Sequence, residues 1–127
     1  MDKVVHFEIP ADDMNRAKAF YEKTFGWEIN LIPSFGYAII HTVKVDEKQM
    51  PKEHGAINGG IMQRKQIKNP VVTINVADMG IACKSVEKNG GKIILEKFKV
   101  GDMGYSAYFQ DCEGNALGLW QEIKSNK

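Results

Sequence analysis

The stretch His6-Phe7-Glu8-Ile9-Pro10-Ala11-Asp12-Asp13-Met14 is echoed by Val71-Val72-Thr73-Ile74-Asn75-Val76-Ala77-Asp78-Met79, and the echo decides the fold. At the same 65-residue offset Ala17 falls on Ala82, Glu22-Lys23 on Glu87-Lys88, Gly26 on Gly91 and Ile29 on Ile94. Such self-similarity marks a chain built from two like units. In the first copy Val5, Phe7 and Ile9 alternate with His6 and Glu8, the period of a strand with one face turned to a core. Asp13 then reads as a helix N-cap, its carboxylate accepting backbone N–H bonds. Met14, Ala17 and Tyr21 recur at helical spacing as one apolar stripe. Gly26 ends the helix, since glycine takes the left-handed conformation without steric penalty. The second copy repeats this order, with a strand predicted over 71–76, Asp78 as cap, Met79, Ala82 and Val86 as stripe, and Gly90-Gly91 as stop.

Outward from these segments, three further strands are expected in each half. They are predicted over 27–31, 37–43 and 57–62 in the first, and over 92–98, 105–109 and 116–120 in the second. Gly36-Tyr37 is matched with Gly104-Tyr105, and Gly60-Ile61-Met62-Gln63 with Gly118-Leu119-Trp120-Gln121. Residues 46–55, polar and carrying Pro51 and His54, form the one long loop; 64–69 link the halves, and 124–127 read as a frayed tail. The expected fold class is α+β: two tandem βαβββ modules, residues 4–63 and 70–122 of a single domain, forming curved, barrel-like mixed sheets around a concave cavity. Trp27 is expected beneath the first helix.

Composition narrows the function. A chain of 127 residues can bury a core without disulfides or a structural metal. Seventeen Lys and Arg against sixteen Asp and Glu leave a net charge of +1, which speaks against nucleic acid or an anionic membrane as the main partner. No apolar run approaches the ~20 residues needed to span a bilayer. The opening Met1-Asp2-Lys3-Val4-Val5-His6 lacks the apolar core and cleavage site of a signal peptide, so cytoplasmic residence is expected. Cys83 and Cys112 sit in no CxxC and are read as reduced thiols. No GxSxG, P-loop or dinucleotide fingerprint occurs.

The order of His6 to Asp13, Ala19-Phe20-Tyr21-Glu22, Phe25-Gly26-Trp27 and Asp111-Cys112-Glu113-Gly114-Asn115, together with the repeat, resembles the vicinal oxygen chelate superfamily of glyoxalase I, bleomycin-resistance proteins and extradiol dioxygenases. Cys112 stands where relatives usually have proline. The resemblance implies a divalent metal held by one residue on the first strand and one on the last strand of each module. Those positions fall on His6, Gly60, Val71 and Gly118. Only His6 can ligate, so no metal or other cofactor is expected. The resemblance also implies a two-fold homodimer, which would cover exposed sheet edges.

The candidate ligand-cavity residues are His6, Glu8, Tyr37, Gly60, Met62, Val71, Thr73, Tyr105, Gly118 and Trp120. His6 is read as a polar group hydrogen-bonded within a cavity, and Glu8 as a carboxylate at the strand rim, solvated or paired with a lysine. His41 and His54 are expected to face solvent. Met62 and Trp120 fall on the cavity side by alternation, and Tyr37 and Tyr105 open corresponding strands. Two functions fit. One is a metal-free protein that binds a small molecule. The other is a metal-dependent lyase, isomerase or dioxygenase with a non-standard site around His6 and Glu8, whose catalytic residues the sequence does not name.

Overall fold

Asp13 Oδ1 accepts the backbone N–H of Arg16 at 2.9 Å, and Asp78 Oδ1 that of Ile81 at 2.9 Å, so both copies of the repeat start their helices alike. The computed structural model describes residues 1–123. The first copy gives β1 (Val4–Ala11), α1 (Met14–Phe25), β2 (Glu28–Ile32), β3 (Tyr37–His41) and β4 (Gly59–Gln63). The second gives β5 (Val71–Asn75), α2 (Met79–Lys88), β6 (Lys92–Val100), β7 (Gly104–Gln110) and β8 (Ala116–Glu122). The class is α+β, built from two βαβββ modules with mixed sheets. The tail expected at 124–127 lies outside the described residues.

Compact packing divides the chain into residues 6–70 and residues 1–5 with 71 onward. The division differs from the expected 4–63 and 70–122 at the N-terminus. There the Lys3 carbonyl accepts the Asn75 N–H at 2.8 Å, which ties residues 1–5 to the second copy.

In the 6–70 unit the strand order is β2-β3-β4-β1, with β1 and β4 parallel and the other pairs antiparallel. One face carries Ala11, Ile29, Ala38, Ile40 and Ile61, on which Met14, Ala17 and Tyr21 of α1 pack. Complete burial of a side chain such as Ile40 or Ile61 contributes roughly 1.5–3 kcal/mol. Trp27 takes the expected place, its ring stacked on Tyr21 with centroids 5.2 Å apart. Gly26 closes α1 at φ 72°, and its N–H bonds the Glu22 carbonyl. A single 3₁₀ turn over 33–35, opened by Pro33, joins β2 to β3. No pattern in the sequence announces it beyond that proline.

The second unit has the order β5-β8-β7-β6, with β5 and β8 parallel. Val76, Met79, Ala107, Phe109 and Leu119 form its core, covered by Ala82, Cys83 and Val86 of α2. The Gln121 side chain accepts the Met79 N–H at 2.6 Å and fixes the start of α2 to β8. Among the described residues no helix is long and apolar enough to cross a membrane.

Candidate functional site

Residues paired across neighbouring strands share a face, and side chains alternate along each strand. In the 6–70 unit Glu8 pairs with Gly60 and Pro10 with Met62, while Tyr37 pairs with Met62 and Ile39 with Gly60. Since Phe7, Ile9 and Ala11 face α1, the opposite face, open only in that no helix of this unit covers it, carries His6, Glu8, Tyr37, Gly60 and Met62. These five candidates are together.

They are also chemically joined. The Tyr37 hydroxyl donates to Glu8 Oε2 at 2.7 Å, and His6 Nε2 lies 3.0 Å from the same hydroxyl. A phenol has one proton to give. With that proton on the Glu8 bond, His6 Nε2 must carry the hydrogen and donate to Tyr37. The order is therefore His6 N–H to Tyr37 O–H to Glu8 carboxylate. His6 Nε2 and Glu8 Oε2 themselves are 3.9 Å apart, and the phenol bridges them.

Glu8 departs from the expected solvated rim position. It is 8% exposed, because it sits in the middle of β1 alongside β4 and under the Tyr37 hydroxyl. A buried carboxylate needs such donors. His6 is a third exposed and matches its expected role as a hydrogen-bonded polar group. His54 is exposed as expected, whereas His41, at the end of β3, is half-buried.

Gly60 explains how the phenol reaches this place. A β-carbon on Gly60 would lie 1.9 Å from the Tyr37 hydroxyl and 2.2 Å from the ring carbon that bears it. The ring thus fills the space that a side chain on Gly60 would need.

The second unit repeats part of this. Thr73 pairs with Gly118 and Asn75 with Trp120, so Val71, Thr73, Gly118 and Trp120 share the face of that unit away from α2, where Val71 and Thr73 are buried. A β-carbon on Gly118 would meet Thr73 Oγ1 at 2.8 Å. That hydroxyl is buried without a hydrogen-bond partner. Tyr105 does not join them. It pairs with Gln121 and packs on the helix-side core, with Lys97 Nζ 4.8 Å from its ring centre. The Gly-Tyr echo misplaces it by one residue, and a slip of one reverses the face. The register puts Ser106 opposite Trp120 and Tyr108 opposite Gly118. Both were missed. The Asp111–Asn115 turn could have found them: it sets Gln110 opposite Ala116, and counting back in step reaches both positions.

The residues at the four positions of the family's metal do not make a ligand set. Gly60, Val71 and Gly118 offer no donor, and the room at Gly60 and Gly118 is taken by Tyr37 and Thr73. Among the described residues no group of three or more His, Cys, Asp or Glu could hold a metal ion. Two clefts of about 330 and 360 Å³ lie beside α1 and α2, on the helix sides of the sheets. Neither includes the His6–Tyr37–Glu8 group.

Elsewhere, ionisation is tuned by local bonds. Asp111 is held below the usual carboxylate range by the N–H and side chain of Asn115 and the N–H of Glu113, and Asp46 by the N–H groups of Met50 and Lys48. Burial pushes the Cys83 thiol up, helped by Glu96 and Glu87.

Two βαβββ modules, each with its helix packed on one face of its strands, define the fold class. Similarity to known proteins agrees. The family model described as "Bleomycin resistance protein-like N-terminal" matches residues 3–42. A glyoxylase-like domain-containing protein of Didymella fabae is 32% identical over 115 residues, covering 88% of each chain. CFP32 of Mycobacterium tuberculosis, which bears a glyoxylase name, is 26% identical over 119 residues; the match spans 90% of this chain but 43% of that protein. Among solved structures, methylmalonyl-CoA epimerase of Streptomyces coelicolor in complex with 2-nitronate-propionyl-CoA superposes with a TM-score of 0.64 at 15% identity, covering 96% of this chain and 98% of that one. A Bacillus halodurans protein gives 0.64 at 14% identity, covering 99% and 98%. The chain belongs to the glyoxalase and bleomycin-resistance-like family of the vicinal oxygen chelate superfamily.

Proposed function

We propose that the protein binds a small organic molecule on the open face of the 6–70 unit, and does so without a divalent ion. The Tyr37 phenol carries this reading, because it bridges His6 and Glu8 and fills the room beside Gly60 where a ligating side chain would stand. Met62 and Ile39 supply apolar contact on the same face, in keeping with pockets lined by apolar groups around a few polar ones. Metal analysis of protein purified without chelators, with mass spectrometry of co-purifying small molecules, tests it. The expected result is far less than one ion per chain, unchanged in His6→Ala. A zinc, nickel, iron or manganese signal near one per chain that disappears in His6→Ala would overturn it.

A second reading is an enzyme of the lyase, isomerase or dioxygenase kind. The continuous hydrogen-bonded path from His6 to Glu8 favours it, since a path of this kind can move a proton. A homodimer and a cytoplasmic setting belong to the same proposal. The exposed Phe20 and Phe25 on α1 support the first, and two unpaired cysteines suit the second. Light scattering should give a particle near twice 14.3 kDa.

A further inference from the structure

Two asparagines of the chain are followed by glycine, Asn58 and Asn89. In such a pair the glycine nitrogen can reach the side-chain carbonyl carbon of the asparagine, because no β-carbon stands in the way and the backbone turns freely. The fold holds the two pairs in different ways. At Asn58 both reacting groups are fixed. Gly59 is buried in β4, paired with Phe7 of β1 and Ile40 of β3. The Asn58 side-chain oxygen accepts the N–H groups of Thr42 and Val43 at 2.8 and 3.3 Å, so its carbonyl is committed to the loop after β3.

At Asn89 both are loosely held. Asn89 caps the C-terminus of α2 and is exposed, as is Gly90, which takes φ 99°. The Gly90 N–H bonds the Glu87 carbonyl at 3.3 Å, beyond the usual range for such a bond. The Asn89 side-chain amide donates to the Ser85 carbonyl at 2.8 Å and lies 3.3 Å from its hydroxyl. These bonds belong to the last turn of a helix, which opens at little cost, whereas an inner strand opens only with much of the fold.

We propose that Asn89 is a site of spontaneous modification, at which Gly90 closes a cyclic imide, and that the fold keeps Asn58 intact. The Gly90 nitrogen gives its proton to water or hydroxide and bonds Asn89 Cγ. The bond from Cγ to Nδ2 breaks, and that nitrogen leaves as ammonia with a proton from solvent. Water then opens the imide. Addition at Cγ gives aspartate, and addition at the backbone carbonyl gives isoaspartate. In sum an amide and water become a carboxylic acid and ammonia, with no change of oxidation state. Either product sets a carboxylate at the C-terminal end of α2, where the helix dipole disfavours it. It also removes the donor to the Ser85 carbonyl. Asn89 lines the cleft of about 360 Å³ beside α2, whose lining then holds two carboxylates, that of Asp2 and the new one.

The full chain is kept at pH 8 in heavy-oxygen water, one sample native and one in concentrated urea, and both are digested for peptide mass spectrometry. In the native sample asparagine should be lost at 89 and retained at 58, with heavy oxygen in both the aspartate and the isoaspartate formed. In urea, where the fold protects neither pair, both asparagines should be lost alike. The aged native protein should melt at a lower temperature than fresh protein. Asn89→Gln, aged in the same way, should show neither the conversion nor the fall in melting temperature. Asn89 left intact in the native sample, whatever happens in urea, would overturn the site. Loss at 58 as fast as at 89 in the native sample would overturn the protection that β4 and the Asn58 bonds are held to give.

Discussion

Tyr37 and Gly60 occupy each other's space: the phenol oxygen lies 1.9 Å from the point where a β-carbon on Gly60 would be. The absence of a side chain at one position is thus what seats the side chain of the other. The hydroxyl, once seated, meets the His6 imidazole and the Glu8 carboxylate. A polar group buried on a strand face is stable only while such bonds persist.

Gly60→Ala should therefore destabilise the protein by about 1–3 kcal/mol, because the new methyl group forces the ring aside. In a Tyr37→Ala background the same change should cost much less. Urea unfolding of the two single variants and the double variant measures the difference. Equal costs in both backgrounds would mean that the ring and the glycine are not coupled.

Tyr37→Phe should cost about 1–3 kcal/mol, since it removes the hydroxyl that bonds both His6 and Glu8 while preserving the ring. Tyr105→Phe makes the same chemical change on the helix-side face, where Lys97 over the ring is retained. Its cost should stay within about 0.5 kcal/mol. Chemical denaturation at neutral pH compares the two directly.

Asp111 and Asp46 link stability to acidity. A carboxyl group whose pKa is lowered on folding stabilises the fold at pH values above its unfolded value, here the ordinary 3.8. That contribution fades as pH falls through the lowered folded value. Asp111→Asn should thus flatten the acid limb of a melting-temperature profile below about pH 4 while leaving the slope near pH 7 unchanged. An unchanged acid limb would show that the turn bonds of Asp111 do not contribute.

The two thiols should separate kinetically. Cys112 is exposed, whereas Cys83 is part-buried on the core side of α2 with its pKa raised. Iodoacetamide at pH 8 should modify Cys112 first, and Cys112→Ser should leave a single slow thiol. Mass spectrometry of the labelled peptides gives both rates.

Much of this architecture was legible because it is written in local chemistry. Asp13 and Asp78 announce their helices through a carboxylate at a fixed distance from the first free N–H groups, and Gly26 announces an end. The open face of the first unit was legible by alternation from His6. What escaped was set by pairing between strands. Glu8 reads as a rim residue until β4 is known to run beside it, and Tyr105 follows its glycine onto the wrong face because an echo carries no register. The bridging role of Tyr37 joins residues 29 and 31 positions apart, and no short-range pattern encodes it.

The shift of one residue between Tyr37 and Tyr105 bears on how the duplicated halves can still exchange material. Tyr37 stands opposite Met62, yet it is Ser106, not Tyr105, that stands opposite Trp120. A recombination event guided by the shared Gly-Tyr pair would splice β3 into the second half one step out of phase, turning Ile40 and Ala38 outward and the phenol inward. Such a product keeps its hydrophobic composition and loses its core.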